Sequence, residues 1–215
     1  MNGDKLQSKI YKGYATAAKR VGVSFRLHRP TLFNEVISQD TMVEEELFVA
    51  LSQDKFFVNP SKYGNAVWQG LLDGTLTRVF DYIQNNKGET YFINSMPQIV
   101  PIQLVECNTI LDVVRPSQEV SIGVSSYSGN TAVSEDSLMV GWPASSLNGT
   151  KWERNMVGLP GDERMPWMIV LLPLFPGVII RTSDILIDGF KQRWSVSSAE
   201  LSGFGWRLTA GLNTA

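Results

Sequence analysis

The pattern of apolar and polar positions divides the chain into one helical segment followed by strands. In residues 3–21, "GDKLQSKIYKGYATAAKRV", apolar residues recur every three or four positions on one face, which predicts an amphipathic helix. Asn2 or Asp4 can cap its start, and Gly22 suits its end. The next stretch, "VSFRLHRP", alternates apolar and polar residues and stops at Pro30, which is typical of a strand.

Strand patterns return in two further regions, and a segment of different character separates them. Residues 66–116 and 167–213 contain short apolar runs with turn signals between them. Residues 117–166 are rich in Ser, Gly and Pro, as in "SQEVSIGVSSYSGNTAVSEDS". A structureless loop of this length is uncommon inside a compact domain. We therefore expect an arm with its own short strands, or one ordered by neighbouring molecules.

One strand–turn–strand pattern occurs twice, as "DYIQNNKGETYFINS" and, 103 residues later, as "DILIDGFKQRWSVSS". At that offset the matching pairs are Arg78 and Arg181, Asp81 and Asp184, Tyr91 and Trp194, Ile93 and Val196, and Ser95 and Ser198. We expect each Asp carboxylate to accept bonds from backbone N–H groups at a corner. The aromatic and aliphatic residues, two apart, should point inward from one strand face.

The repeat predicts two related β modules and fixes the domain organisation. The expected fold is mainly β with an N-terminal α-helix (α+β), with two small barrel-like modules and a long ordered arm. The predicted divisions are the helix at 1–22, the first module at 23–116, the arm at 117–166 and the second module at 167–215. The residues predicted to form the core of the repeat are Asp81, Tyr91, Ile93, Asp184, Trp194 and Val196.

Composition narrows the range of partners. The net charge is −2, so no basic face for nucleic acid is indicated. The single cysteine, Cys107, excludes an internal disulfide framework. The longest apolar run, "WMIVLLPLFPGVII", is interrupted by two prolines and is too short for a membrane-spanning helix. We expect a soluble protein, made in a reducing compartment, with no membrane anchor.

Few residues could carry chemistry. His28 is the only histidine, and neither it nor Cys107 lies in a catalytic motif, so we predict no enzyme, no metal site and no cofactor. We interpret Cys107 as a small core residue. The run Glu44–Glu46 is most simply a solvated face, although acidic pairs such as Glu44 with Glu46 leave a glycosidase mechanism open.

Four long stretches carry a resemblance to known sequences: "GDKLQSKIYKGYATAAKRVG", "GETYFINSMPQIVPIQLVECN", "WPASSLNGTKWERN" with "VGLPGDERMPW", and "TSDILIDGFKQRWSVSSAELSGFGWRLTA". They resemble a family of proteins encoded in tailed-phage and prophage genomes. The segments "KGETYFI" and "FKQRWSV" are also similar to a return strand of the small β-barrel head-completion (stopper) proteins of tailed phages, although the second lacks the glycine.

The resemblance implies a structural virion protein. Copies would form a ring at the head-to-tail interface or in the tail, as part of the DNA conduit, after synthesis in the host bacterial cytoplasm. Its partners would be further copies and portal, adaptor or other tail proteins, with DNA passing through without being bound. In that setting Trp142, Trp152 and Trp167 are candidate subunit contacts, and Glu44, Glu45 and Glu46 are candidates for the lumen.

Two other functions stay open from the sequence. One is a tail or baseplate attachment protein that binds tail fibres or surface glycan, which exposed tryptophans in an open groove would favour. The other is a virion-associated carbohydrate-cleaving enzyme, which needs an acidic pair facing across a cleft.

Overall fold

The computed structural model describes residues 3–53, 66–116, 135–148 and 166–213. The fold is mainly β, with one N-terminal helix, α1, at Gly3–Val21. The first six strands are β1 Val23–His28, β2 Met42–Ser52, β3 Val67–Leu71, β4 Tyr82–Asn85, β5 Thr90–Ser95 and β6 Ile102–Cys107. The other six are β7 Thr109–Pro116, β8 Glu135–Asn148, β9 Trp167–Leu172, β10 Ile185–Ile187, β11 Arg193–Ser202 and β12 Gly205–Leu212. The sequence-based prediction of fold class is confirmed.

The strands form two closed barrels of the same topology. Barrel 1 has the order β1-β2-β3-β6-β5-β4, and barrel 2 has the order β10-β11-β12-β9-β8-β7. Taken from the first strand of each, both barrels follow the order 1-2-3-6-5-4 and close between strands 4 and 1. All pairings are antiparallel, and closure removes the exposed edges that an open sheet would leave.

The pairing register of the strands and the positions of their β-bulges also repeat between the barrels. In barrel 1, Tyr82 pairs with Phe92, and in barrel 2 Ile185 pairs with Ser195 at the same offset of 103 residues. A bulge between Ile93 and Ser95 has its counterpart between Val196 and Ser198. Since bulges re-aim a strand at one position, their matched placement extends the internal repeat beyond the hairpins.

The first two strands of each barrel match just as closely. Irregularities in β1 fall between Phe25 and Leu27 and between Leu27 and His28. Those in β7 fall at the corresponding positions, between Leu111 and Val113 and between Val113 and Val114. The partners correspond as well, because Leu47 on β2 faces Phe25 and Trp142 on β8 faces Leu111. All six strands of barrel 1 therefore have a counterpart in barrel 2.

Helix α1 lies against barrel 1. Ala18 is fully buried, and Gly22 follows the helix where the chain passes within close reach of β2. A Cβ on Gly22 would lie 2.6 Å from the carbonyl oxygens of Ala18 and Val49, so only glycine fits there. Earlier in the helix, the Tyr14 hydroxyl donates to the carbonyl of Ile99, in the loop between β5 and β6, at 2.9 Å. These contacts hold the second half of the helix to barrel 1.

The interior of barrel 1 forms one apolar cluster, and a second cluster fills barrel 2 and extends across the contact between the two barrels. Tyr82, Phe92 and Val105 point outward from barrel 1 and pack into the apolar cluster of barrel 2. The Tyr82 hydroxyl donates to the Pro143 carbonyl at 2.7 Å, and its ring meets Trp142 edge to face. Burial raises the pKa of Tyr82 well above its usual value, so this hydroxyl stays a donor. We call this contact the barrel junction.

The domain boundaries differ from those predicted. The division between barrels falls at Asn108, because β6 is the last strand of barrel 1 along the chain and β7 is the first strand of barrel 2. Residues 109–116, assigned from sequence to the first module, belong to the second. Within the predicted arm, Glu135–Asn148 form β8, which pairs with β7 and β9. The remainder of the arm, 117–134 and 149–165, lies outside the described residues.

Candidate functional site

A buried carboxylate holds one corner of each barrel. Asp81 bonds Arg29 through both oxygens, at 2.8 and 2.7 Å. Asp184 bonds Arg115 in the same way, at 2.8 and 2.9 Å. Only 3% of either Asp side chain is exposed. The hydrogen bond to the carboxylate raises the pKa of Arg29 and of Arg115 above the usual value. We call each of these pairs a clasp.

Each clasp also binds the backbone of the loop that precedes its Asp. The amide N–H of Arg78 donates to Asp81 at 2.8 Å, and that of Arg181 donates to Asp184 at 2.7 Å. The residues just before each Asp, Phe80 and Ser183, have φ of 74° and 73°. Positive φ is strained for such residues and persists only where the surroundings enforce it. The corner expected from sequence is present at both places.

The clasped loops present apolar and basic side chains to solvent. The guanidinium of Arg29 donates to the carbonyl of Leu76, and that of Arg115 donates to the carbonyl of Ile179. Leu76 and Ile179 are both exposed, and two residues later each loop carries an exposed arginine, Arg78 or Arg181. A rigid backbone with exposed apolar and arginine side chains is typical of protein contact surfaces.

A groove runs between the two loops at the barrel junction. One part, about 240 Å³, is lined by residues of the first loop, including Val79 and Phe80, and by Phe175 and Pro176. The neighbouring part, about 400 Å³, shares Phe175 and Pro176 and extends to Ile179 of the second loop. The two loops therefore belong to one continuous surface.

The residues considered for catalysis lie apart. His28 is buried with its Nδ1 3.2 Å from the Thr41 hydroxyl, and burial lowers its pKa below the usual value. Cys107 is half-buried at the barrel junction, and burial raises the pKa of its thiol, so the unreactive protonated form is favoured. Among the residues that the structure describes, no three His, Cys, Asp or Glu side chains converge to hold a metal ion.

The residues predicted for the repeat core lie inside the barrels. Asp81 and Asp184 are the clasp carboxylates, and Tyr91, Ile93, Trp194 and Val196 are buried. Tyr91 packs edge to face against Phe25. Burial, with a smaller contribution from nearby acidic groups, raises the pKa of Tyr91 to about 12.

The tryptophans predicted as subunit contacts take different positions. Trp142 is buried inside the molecule, where its indole N–H donates to the Phe33 carbonyl at 2.6 Å, so its assignment as a subunit contact is corrected. It faces inward because it occupies the β8 position that corresponds to Leu47 in barrel 1. Trp167 is half-buried at the start of β9, and Trp152 lies outside the described residues.

Glu44, Glu45 and Glu46 lie on β2 at the surface of barrel 1. Together with Ser24, Arg26 and Asn86 they line an open groove of about 480 Å³. All three carboxylates come from one strand, whereas the two acids of a glycosidase flank the bond they cleave. The groove is thus a charged sheet face with one arginine in it.

Sequence reasoning missed the arginines of the clasps. A signal is present, because each arginine stands at the end of a strand pattern and precedes proline, in Arg29-Pro30 and in Arg115-Pro116. The two dipeptides are separated by fewer residues than the hairpins are, so an alignment without gaps does not pair them.

No α-helix in the described residues has the length and apolar character needed to cross a membrane. Comparisons with protein-family models, with curated proteins and with solved structures found no match to this chain.

Proposed function

We propose that this protein is a structural component of a tailed-phage particle that assembles as a ring at the head-to-tail interface or in the tail. The observation that carries the proposal is the pair of clasped loops. Each barrel presents the same rigid corner with an exposed aliphatic residue and an exposed arginine, on one continuous surface. Repeated contact elements on a fixed scaffold suit a protein whose work is to join other subunits.

The low net charge of the chain agrees with a passive conduit for DNA. The net charge is −2, and phosphate binding requires clustered Lys and Arg. A near-neutral lumen lets DNA pass without holding it. Portal or adaptor proteins on one side and tail proteins on the other are the partners that this position implies.

Attachment to glycan or tail fibres is the less favoured function. Sugar binding through stacked aromatics requires exposed rings in a groove, and Trp142 is buried at the barrel junction. Cleavage of carbohydrate is less favoured still, since the acidic groove on β2 offers three carboxylates from a single strand.

The experiment that tests the proposal has two parts. Purified full-length protein is examined by analytical ultracentrifugation and by negative-stain electron microscopy, where closed rings of uniform size are expected. Particles from a phage that carries the gene are then probed with an antibody against the protein. A chain that stays monomeric at all concentrations and is absent from purified particles would reject this function.

A further inference from the structure

The barrel junction is a contact between two defined faces. Barrel 1 contributes the outer side of β4 and β5, which we call the β4–β5 face. Barrel 2 contributes the outer side of β8, which we call the β8 face. Between them lies a cavity of about 690 Å³, lined by Gly88 and Thr90 from one face and by Val140 and Gly141 from the other. None of these four residues carries a charge, and Glu35, from the loop between β1 and β2, also lines the cavity.

The internal repeat gives each of these faces a counterpart that is not part of the junction. The β4–β5 face of barrel 1 corresponds to the outer side of β10 and β11 in barrel 2, the β10–β11 face. Matched register places Lys191 at the position of Gly88 and Arg193 at the position of Thr90. The turn is the same in both hairpins, since Gly88 and Lys191 both have positive φ, 87° and 63°.

The β8 face of barrel 2 corresponds in the same way to the outer side of β2 in barrel 1, the β2 face. Because Leu47 corresponds to Trp142, the residues that occupy the positions of Val140 and Gly141 are Glu45 and Glu46. The positions that are uncharged at the junction cavity are therefore occupied by basic residues on one outer face and by acidic residues on the other.

Both outer faces are accessible. Glu45 and Glu46 are exposed beside the groove of about 480 Å³. On the other face Lys191 is exposed, while Arg193 is half-buried and bonds Glu135. Phe190, next to Lys191 at the tip of the turn, is 89% exposed, although the same position in barrel 1 is the charged Lys87. The β10–β11 face thus combines positive charge with an unusually exposed aromatic ring.

We propose that copies of this chain associate head to tail, with the β10–β11 face of one copy docked on the β2 face of the next. The contact repeats between molecules the arrangement that joins the barrels within one molecule, with opposite charges in place of the uncharged residues that line the junction cavity. It deepens the proposed function by naming the contact between neighbouring copies. A contact of this heterologous kind closes into a ring when the rotation between copies allows it.

Sedimentation of charge-reversed chains tests the contact. Glu45→Lys with Glu46→Lys should weaken self-association by about tenfold or more, and Lys191→Glu should also weaken it. Their combination in one chain should restore association, because the charges become complementary again. Lys9→Glu with Lys12→Glu, two exposed positions on α1, is the matched control and should leave association unchanged. Circular dichroism melts confirm that each chain is folded.

A second measurement uses cross-linking. In a Cys107→Ser background, chains with Glu46→Cys are mixed with chains with Lys191→Cys, and a disulfide-linked species of twice the chain mass is expected from the mixture. If rings form but charge reversal has no effect and no cross-link appears, this contact is wrong while the proposed function stands. If the unmodified chain never associates and is absent from particles, both fail.

Discussion

Asp81 and Asp184 show how a single side chain can determine a strand corner. Each carboxylate is buried, accepts two bonds from an arginine and one from a backbone N–H, and stands beside a residue with positive φ. Removing the negative charge leaves the strained backbone without its partner and the arginine without a counter-charge.

We predict that Asp81→Asn and Asp184→Asn each lower the free energy of unfolding by about 1.5–3 kcal/mol, the range for hydrogen bonds to charged groups. Urea denaturation measures the change. Glu200→Gln is the control, because the Glu200–Arg207 pair is exposed on both sides and should contribute less than about 1 kcal/mol. Equal losses at Glu200 and at the two aspartates would contradict the role of the clasps.

His28 predicts a dependence of stability on pH. Burial lowers its pKa in the folded state, with a further lowering from Arg26, so the unfolded chain binds the proton more readily. Stability should therefore be complete above the usual histidine pKa of about 6.5 and should fall as the pH drops below it. Because His28 is the only histidine, the urea midpoint of the His28→Gln chain should change less between pH 7 and 5.5 than that of the unmodified chain. Parallel pH curves for both chains would show that other groups are responsible.

At the scale of the strand, the aromatic residue of each repeated hairpin fills its barrel. Trp194 is buried and its indole N–H donates to Asp188 at 2.9 Å. Trp194→Ala should lower the free energy of unfolding by about 3–5 kcal/mol, as large-to-small changes in a core do. Phe190→Ala, four residues earlier and exposed, should change it by less than about 0.5 kcal/mol. A loss below about 1 kcal/mol at Trp194 would mean that the ring does not support the core.

The hairpins could be predicted from sequence because their loops have equal length. Both copies therefore have the same spacing between Asp, the apolar pair, the aromatic residue and the aliphatic residue. Elsewhere the loops differ in length, so corresponding strands are separated by other offsets. The correspondence of β1 with β7, and of β2 with β8, is visible only through the matched bulges. The boundary at Asn108 was missed for a related reason. One residue separates β6 from β7, too short a link to register as a break in the pattern.

The contact surfaces were harder to predict than the fold. The sequence predicts Trp142 at a subunit contact because a large aromatic ring in a turn-rich segment is hard to leave in water, which favours ordering by contact with a neighbour. It instead faces into the molecule at the barrel junction, where it meets Tyr82, a contact between residues far apart in sequence. Burial of this kind depends on the packing of two barrels, which a one-dimensional pattern does not contain.

At the scale of the molecule, the apolar cluster that spans the barrel junction implies that the barrels unfold together. Tyr82, Phe92 and Val105 belong to barrel 1 but are buried by barrel 2, so separating the barrels exposes them to water. We predict a single thermal transition with equal calorimetric and van't Hoff enthalpies. Differential scanning calorimetry measures both, and fluorescence of the tryptophans should follow the same curve. Two resolved transitions would show that each barrel is stable alone.

The link at Asn108 has a mechanical consequence. Its backbone N–H donates to Ala144, and its side chain exchanges two bonds with Ser146 on β8. A tether of one residue offers no slack, so a load that pulls the barrels apart is borne at once by those bonds and by the packed rings beside them. The pair of barrels should respond to tension as a stiff element that yields abruptly.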